Sequence, residues 1–148
     1  MREKAKISHV LVALQFTAIV IVAWPFVEQT AGRGQWLALS VLGVFVGLYT
    51  LAHNKLGNFG IYPEPIPDSC LVTTGPYRWV RHPMYSSLLL FMLGIALYRH
   101  AVPNYLGLGL LTVAILGKMR LEEVHLHLRF EDYSDYVKKT HRLFPGIY

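Results

Sequence analysis

Four apolar runs, over residues 8–26, 36–52, 84–98 and 103–118, alternate with polar stretches along this 148-residue chain. Each predicts a helix, because a helix satisfies its own backbone hydrogen bonds and can therefore cross a bilayer. The first run is about the ~20 residues that a crossing needs. Pro25 lies near its far end, where a proline ends or kinks a helix at the cost of few backbone bonds, and Trp24 beside it suits an interface. A polar turn at 28–35 leads into the second run. That run carries Gly43 and Gly47 at the spacing that lets two helices approach closely, with plain packing as the expected role. The last two runs are shorter. At ~1.5 Å per residue, a fifteen-residue helix covers only ~22 Å of a ~30 Å hydrocarbon core. They predict a short or tilted hairpin, joined by a turn at 99–102.

The polar stretches are of three kinds. Residues 53–74 hold Asn54, Lys55, Gly57, Asn58 and Gly60, then Pro63, Pro65 and Pro67, which excludes a helix. A loop this long in so small a protein is usually functional or disordered, and an ordered lid or wall is expected here. It runs straight into Gly75-Pro76-Tyr77-Arg78-Trp79-Val80-Arg81-His82-Pro83-Met84-Tyr85, where turn formers, arginines, a histidine and aromatics abut the third apolar run. Polar and charged groups are costly at such a boundary, so they mark a site. Beyond 118 the chain becomes amphipathic through Glu122, Glu123, His125, His127 and Arg129, then rich in aromatics and bases. This tail, 119–148, is expected to be helical at least to Lys139 and to lie on the membrane surface.

The predicted fold is thus an all-α integral membrane protein of one domain, 1–148. It has four transmembrane helices, the third and fourth a short hairpin, with a site loop at 54–83 and a cytoplasmic amphipathic C-terminal helical tail. Composition agrees, since 53% hydrophobic residues, 16% charged residues and a mean hydropathy of +0.36 are too apolar for an ordinary soluble domain. The amino-terminal run is longer than a signal-peptide core and no small-x-small cleavage site clearly follows, so a retained helix is expected. Of the fourteen lysines and arginines, all but Arg33 and Arg99 fall at the amino end, in the second loop or from Lys118 onward. That imbalance assigns both termini, the motif and the tail to the cytoplasmic side. The formal charge of +5 follows from this arrangement rather than from a nucleic-acid-binding patch, so no nucleic-acid partner is expected. The single cysteine, Cys70, excludes an intramolecular disulfide and a cysteine-rich metal site.

The candidate chemistry gathers at one membrane face: Arg81, His82 and Tyr85 before the third helix, Glu122 and Glu123 after the fourth, and the tail bases. Paired acids with arginines nearby can bind the hydroxyls and amino group of a polar cofactor while a base holds an anionic substrate. Surface ion pairs of the glutamates with Arg120 or Arg129 are the plainer alternative. Glu122 with His125 and Glu123 with His127 have metal-ligand spacing, but a di-metal bundle needs a second such motif, so no protein-held metal is expected. His9, His53 and His100 are isolated and expected to be interfacial or packing residues. No Rossmann or Walker loop and no nucleophile elbow is present.

The run Leu71 to Tyr85, an apolar hairpin, Glu122-Glu123, and then Phe130, Tyr133, Tyr136, Thr140, Arg142 and Pro145 at fixed spacing closely resemble the isoprenylcysteine carboxyl methyltransferases and the related phospholipid methyltransferases. The resemblance covers roughly 58–145. It implies S-adenosylmethionine as methyl donor on the cytosolic side and a lipid-like acceptor entering from the bilayer. By the same resemblance, Tyr77, His82, Pro83, Tyr85, Glu122 and Glu123 are the cofactor-binding positions, and Arg81, Arg142 and Glu123 the catalytic ones. The tail arginine that orients a substrate carboxylate falls at Arg142 or, with a shifted register, at Lys139. Ser87 stands where the family often has glycine; it is small, so helix packing should survive.

A sulfonium methyl is already activated, and a carboxylate or thiolate acceptor needs no general base, so positioning and exclusion of water could supply most of the catalysis. An amine acceptor, as in phospholipid methylation, would need one, with Glu122, Glu123 or His82 as candidates. A non-catalytic membrane binding or assembly protein and an NADPH-dependent sterol-type reductase are the other readings. The expected setting is a prokaryotic inner or plasma membrane, and the oligomeric state is left open.

Overall fold

A computed structural model describes residues 2–26, 33–54, 58, 60–64, 66–67 and 69–146, and the side chains from residue 6 onward. Most of the turn expected at 28–35, together with Lys55, Gly57, Pro65 and the side chains of Arg2 and Lys4, lies outside the described residues. Five α-helices account for the described fold: α1 (Arg2–Ala23), α2 (Leu37–His53), α3 (Pro83–Arg99), α4 (Val102–Arg129) and α5 (Tyr133–Lys139). Short 3-10 turns, Gly34–Trp36 and Gly75–Arg78, lead into α2 and towards α3. No strand occurs among the described residues.

Local chemistry sets the helix ends. Helix α1 stops just before Pro25, which has no N–H and biases Trp24 away from the helical region. Pro83 opens α3 at its first turn, where a missing N–H costs nothing. Helix α3 ends on His100 in the left-handed conformation (φ 54°), its N–H closing on the Ala96 carbonyl. Only His100 and Ala101 separate α3 from α4.

Among the described residues, three stretches are long and apolar enough to cross a membrane: Lys6–Ala23, Gly34–His53 and Val102–Arg129. The apolar helix α3 is shorter, at 17 residues. Large apolar side chains of α1, α2 and α4, among them Val10, Phe16, Val20, Phe45, Leu48, Leu106 and Val113, face outward, as they do where lipid is the solvent.

Two helix pairs carry the packing, α2 against α3 and α1 against α4. A Cβ on Gly43 would lie 2.7 Å from the Phe91 amide nitrogen, and one on Gly94 would lie 2.6 Å from that of Ser40. These two glycines therefore let the α2 and α3 backbones touch, which is the packing role expected of Gly43. Ser87 donates to the Gly43 carbonyl at 2.8 Å and Ser40 to that of Phe91 at 2.8 Å, so the serine at 87 joins the contact. On the other pair, the Asn104 amide donates to the carbonyls of Ile21, Val22 and Trp24 at 2.9–3.1 Å and holds the end of α1. Ala18, Val22, Met92, Ala96, Leu111, Ile115, Met119 and Leu143 form the buried core.

One boundary differs from expectation. The fourth helix does not end near residue 118; α4 runs 28 residues, so Glu122 and Glu123 lie within its last two turns, and of the two hairpin helices only α3 is short. The tail is not one continuous helix either, because Phe130 is extended and separates α4 from α5. Leu121, Val124, Leu126 and Leu128 carry apolar positions on past Lys118 among good helix formers, with no glycine or proline to stop the helix.

Candidate functional site

Residue 82 precedes a proline, which biases it towards extended backbone and leaves 79–82 needing partners for its N–H and C=O groups. Residues 141–142 supply them. Arg81 N–H donates to the His141 carbonyl at 2.8 Å, His82 N–H to that of Arg142 at 3.0 Å, and His141 N–H to that of Trp79 at 2.9 Å. This parallel bridge, centred on Val80 and His141, sets the tail across the start of α3. Ser86 adds a side-chain bond to the Leu143 carbonyl.

The bridge delivers two guanidiniums to one carboxylate. Arg81 donates through Nε to Glu123 Oε1 at 2.8 Å, and Arg142 through Nε and Nη2 to Oε2 at 3.0 and 2.8 Å. Arg81 also donates through Nη1 to the carbonyls of Thr140 and Val137. Glu123 and His82 are buried, and His82 Nε2 lies 3.4 Å from Glu123 Oε1. Adjacent residues on a helix point about 100° apart. Glu122 accordingly faces another way, accepting from the Tyr85 hydroxyl at 3.2 Å, with His82 Nδ1 at 3.6 Å. The two histidines weighed with these glutamates as metal ligands turn Nδ1 to the carbonyls of Pro63 and Glu123.

Two chambers meet at this end of the bundle. The first, about 120 Å³, lies between the loop and the tail and includes Cys70, Leu126, Tyr133 and Tyr136 in its lining. The second, about 420 Å³, lies among the helices and is lined by Phe16 of α1, Val44 of α2, Leu88 and Phe91 of α3 and Lys118 of α4. Asn54, Asn58, Gly60, Tyr77, Arg81, Tyr85 and Glu122 border both. The loop side of this shared wall is cross-linked by side chains. Asn54 donates to the Tyr77 hydroxyl at 3.1 Å, Asn58 donates to Asn54 at 2.9 Å, and Asn58 Oδ1 accepts the Cys70 N–H at 3.1 Å. From the tail, the Tyr136 hydroxyl donates to the Tyr77 carbonyl at 2.7 Å. Burial, with Glu122 nearby, pushes the Tyr77 phenol well above its usual range, and burial does the same to Tyr133 and Tyr136. All three therefore stay protonated near neutral pH.

Of the residues singled out in the sequence, Tyr77, Arg81, Tyr85 and Glu122 stand on the shared wall, while His82 and Pro83 line the second chamber. Glu123 and Arg142 line neither chamber and lie behind Arg81. Lys139 is exposed, on an outer cleft with Asp132 and Asp135. Asn54, Asn58 and Lys118 were not singled out. A lysine within a membrane-spanning helix is itself a functional signal and could have drawn attention to Lys118.

A sulfonium is a cation with an apolar body, which suits tyrosine faces beside a carboxylate such as Glu122. The residues thus fit a donor of the S-adenosylmethionine type.

Two curated proteins are similar to the chain. It is 26% identical over 133 residues to the nickel-cobalt-cadmium resistance protein NccN of Alcaligenes xylosoxydans xylosoxydans. It is 28% identical over 133 residues to the cobalt-zinc-cadmium resistance protein CzcN of Cupriavidus metallidurans. Each alignment covers 86% of this chain but only 62% of the relative, so the chain spans less than two thirds of their length. The pattern that defines the phospholipid methyltransferases matches residues 34–132, which holds α2, α3, α4 and the whole shared wall between the chambers, and the chain belongs to that family.

Proposed function

We propose that the chain is an S-adenosylmethionine-dependent membrane methyltransferase for a lipid-like acceptor, with a carboxylate as the acceptor group. The observation that carries this is the pair of chambers with a common wall. One is bounded by polar loop and tail; the other opens among apolar helices, so a polar donor and a lipophilic acceptor could meet at Tyr77, Tyr85 and Glu122. We infer four membrane segments, α3 being the short one, with the site and both termini on the cytoplasmic face.

When bound, the donor supplies an electrophilic methyl on a sulfonium. Glu122 and the tyrosine faces offer that cation a complementary surface, and the packed helices keep water from the apolar chamber. Transfer to a carboxylate would give an ester and leave no proton to remove, so Glu122 and the tyrosines would have only to hold the donor's cation, and no residue of the wall would need to act as a base. Catalysis then rests on positioning. Behind the wall, Glu123 holds Arg81 and Arg142 and fixes the start of α3 to the tail.

The family's phospholipid members favour a second reading, transfer to a lipid amine. That route needs a base, and Glu122 or His82 is in reach of the wall. Calorimetry in detergent with S-adenosylhomocysteine tests the enzyme reading. Glu122→Gln should weaken binding of S-adenosylmethionine about tenfold or more, and of the uncharged thioether S-adenosylhomocysteine less, while the melting temperature stays put, since an interaction with a charged group contributes roughly 1.5–3 kcal/mol. Wild-type protein that binds no S-adenosylhomocysteine above background would refute it, and tight NADPH binding would point to a reductase. Transfer of labelled methyl to a lipophilic acid or to phosphatidylethanolamine separates the two acceptors.

A further inference from the structure

Lys118 has a single exposed fringe, at 2% of its surface, and it lines the apolar chamber one helical turn before Glu122. Its ammonium donates to Gln15 Oε1 at 2.7 Å and to the Ile61 carbonyl at 2.8 Å, and lies 5.6 Å from the Tyr85 ring. These partners are neutral. Among the described residues no carboxylate stands within ion-pair distance of it. Glu122, one turn on, acts on it only at longer range; a buried charge with no carboxylate in contact is expensive, and an ammonium carries three donors, two of which are used here. The two arginines that could hold an anionic acceptor are engaged instead by Glu123.

We propose that Lys118 is the residue that reads the acceptor, its ammonium holding the carboxylate head of a lipophilic acid at the edge of the second chamber. The proposal rests on that chamber being the acceptor site. The head group then sits beside Tyr85, on the wall shared with the first chamber, and its chain runs between Phe16, Val44 and Phe91. An amine acceptor would meet like charge at the same place. Specificity for acid over amine therefore comes from α4, not from the arginines of the motif and tail.

The test is calorimetry on the full chain in detergent with N-acetyl-S-farnesylcysteine and with its methyl ester. Wild type should bind the acid roughly 30-fold or more tightly than the ester, the ratio typical of a buried hydrogen-bonded charge pair. Lys118→Gln, which can still donate to Gln15 and the Ile61 carbonyl, should abolish that ratio while leaving ester affinity in place; Lys118→Arg should keep part of it. A ratio that survives in Lys118→Gln, equal loss of both ligands, or no preference in wild type overturns the proposal. Should Lys118→Gln not fold, the N-hydroxysuccinimide ester of the acid is added to wild type. Amide formation at Lys118, with release of N-hydroxysuccinimide, is expected and should be blocked by the free acid. Labelling that spares Lys118 overturns the assignment. S-Adenosylhomocysteine binding is measured in parallel. Its absence would sink the methyltransferase reading, whereas the acid-to-ester ratio decides on Lys118 alone.

Discussion

Replacing Glu123 by glutamine removes the one anion held between Arg81 and Arg142 while keeping the size of the side chain. The Arg81 side chain is 7% exposed and that of Glu123 9%, so this half of the cluster behaves as a buried pair. Taking one partner from such a pair costs about 3–5 kcal/mol, because the other charge is left uncompensated. The side chain of Arg142 is 33% exposed, and solvent screening limits its share to about 1 kcal/mol or less. Glutamine still offers Arg81 one oxygen, and Arg81 keeps the Thr140 and Val137 carbonyls, so a total near the lower end, about 3 kcal/mol, is expected. For a chain of this size that corresponds to a fall of roughly 10 °C in Tm. Thermal unfolding in detergent reads the fall, and S-adenosylhomocysteine calorimetry well below the transition reads the site. Affinity per folded molecule should change less than threefold. A Glu123→Gln protein that melts within about 2 °C of wild type yet binds tenfold more weakly would refute the reasoning and move Glu123 onto the ligand.

Two further substitutions test the scaffold. Gly43→Ala puts a Cβ 2.7–2.9 Å from backbone atoms of Phe91 and Ser87, which cannot rotate away, so α2 and α3 must separate; a loss of about 1–3 kcal/mol is expected by thermal unfolding. Asn104→Ala leaves carbonyls at the end of α1 without their donor and should cost about 1–3 kcal/mol, with hydrogen exchange rising first at residues 20–26.

The helices were largely legible because apolar runs bounded by proline and polar turns leave few alternatives. The exception, α4, shows the limit of that signal. Hydropathy falls after Lys118, but a helix ends where backbone bonding ends, and Glu122, Glu123 and Arg120 are sound helix formers. The site was legible as a set of residue types and not as a division of labour. Nothing in adjacent glutamates tells which one turns to the chambers and which to the arginines; the rotation of α4 against α1 and α3 decides it. Asn54 and Asn58 were legible only as loop formers because their role comes from a loop that folds back on Cys70, a contact across twelve residues with no motif attached.

The bridge between 79–82 and 141–142 also fixes when the protein becomes competent. On the ribosome, α1 to α4 all precede residue 130, so they can pair before the tail emerges. Until residues 141 and 142 appear, the backbone ahead of α3 lacks its partners and Glu123 lacks one of its two guanidiniums. The bundle is built first and its wall is locked last, so an unfinished chain would sit in the membrane without a closed site.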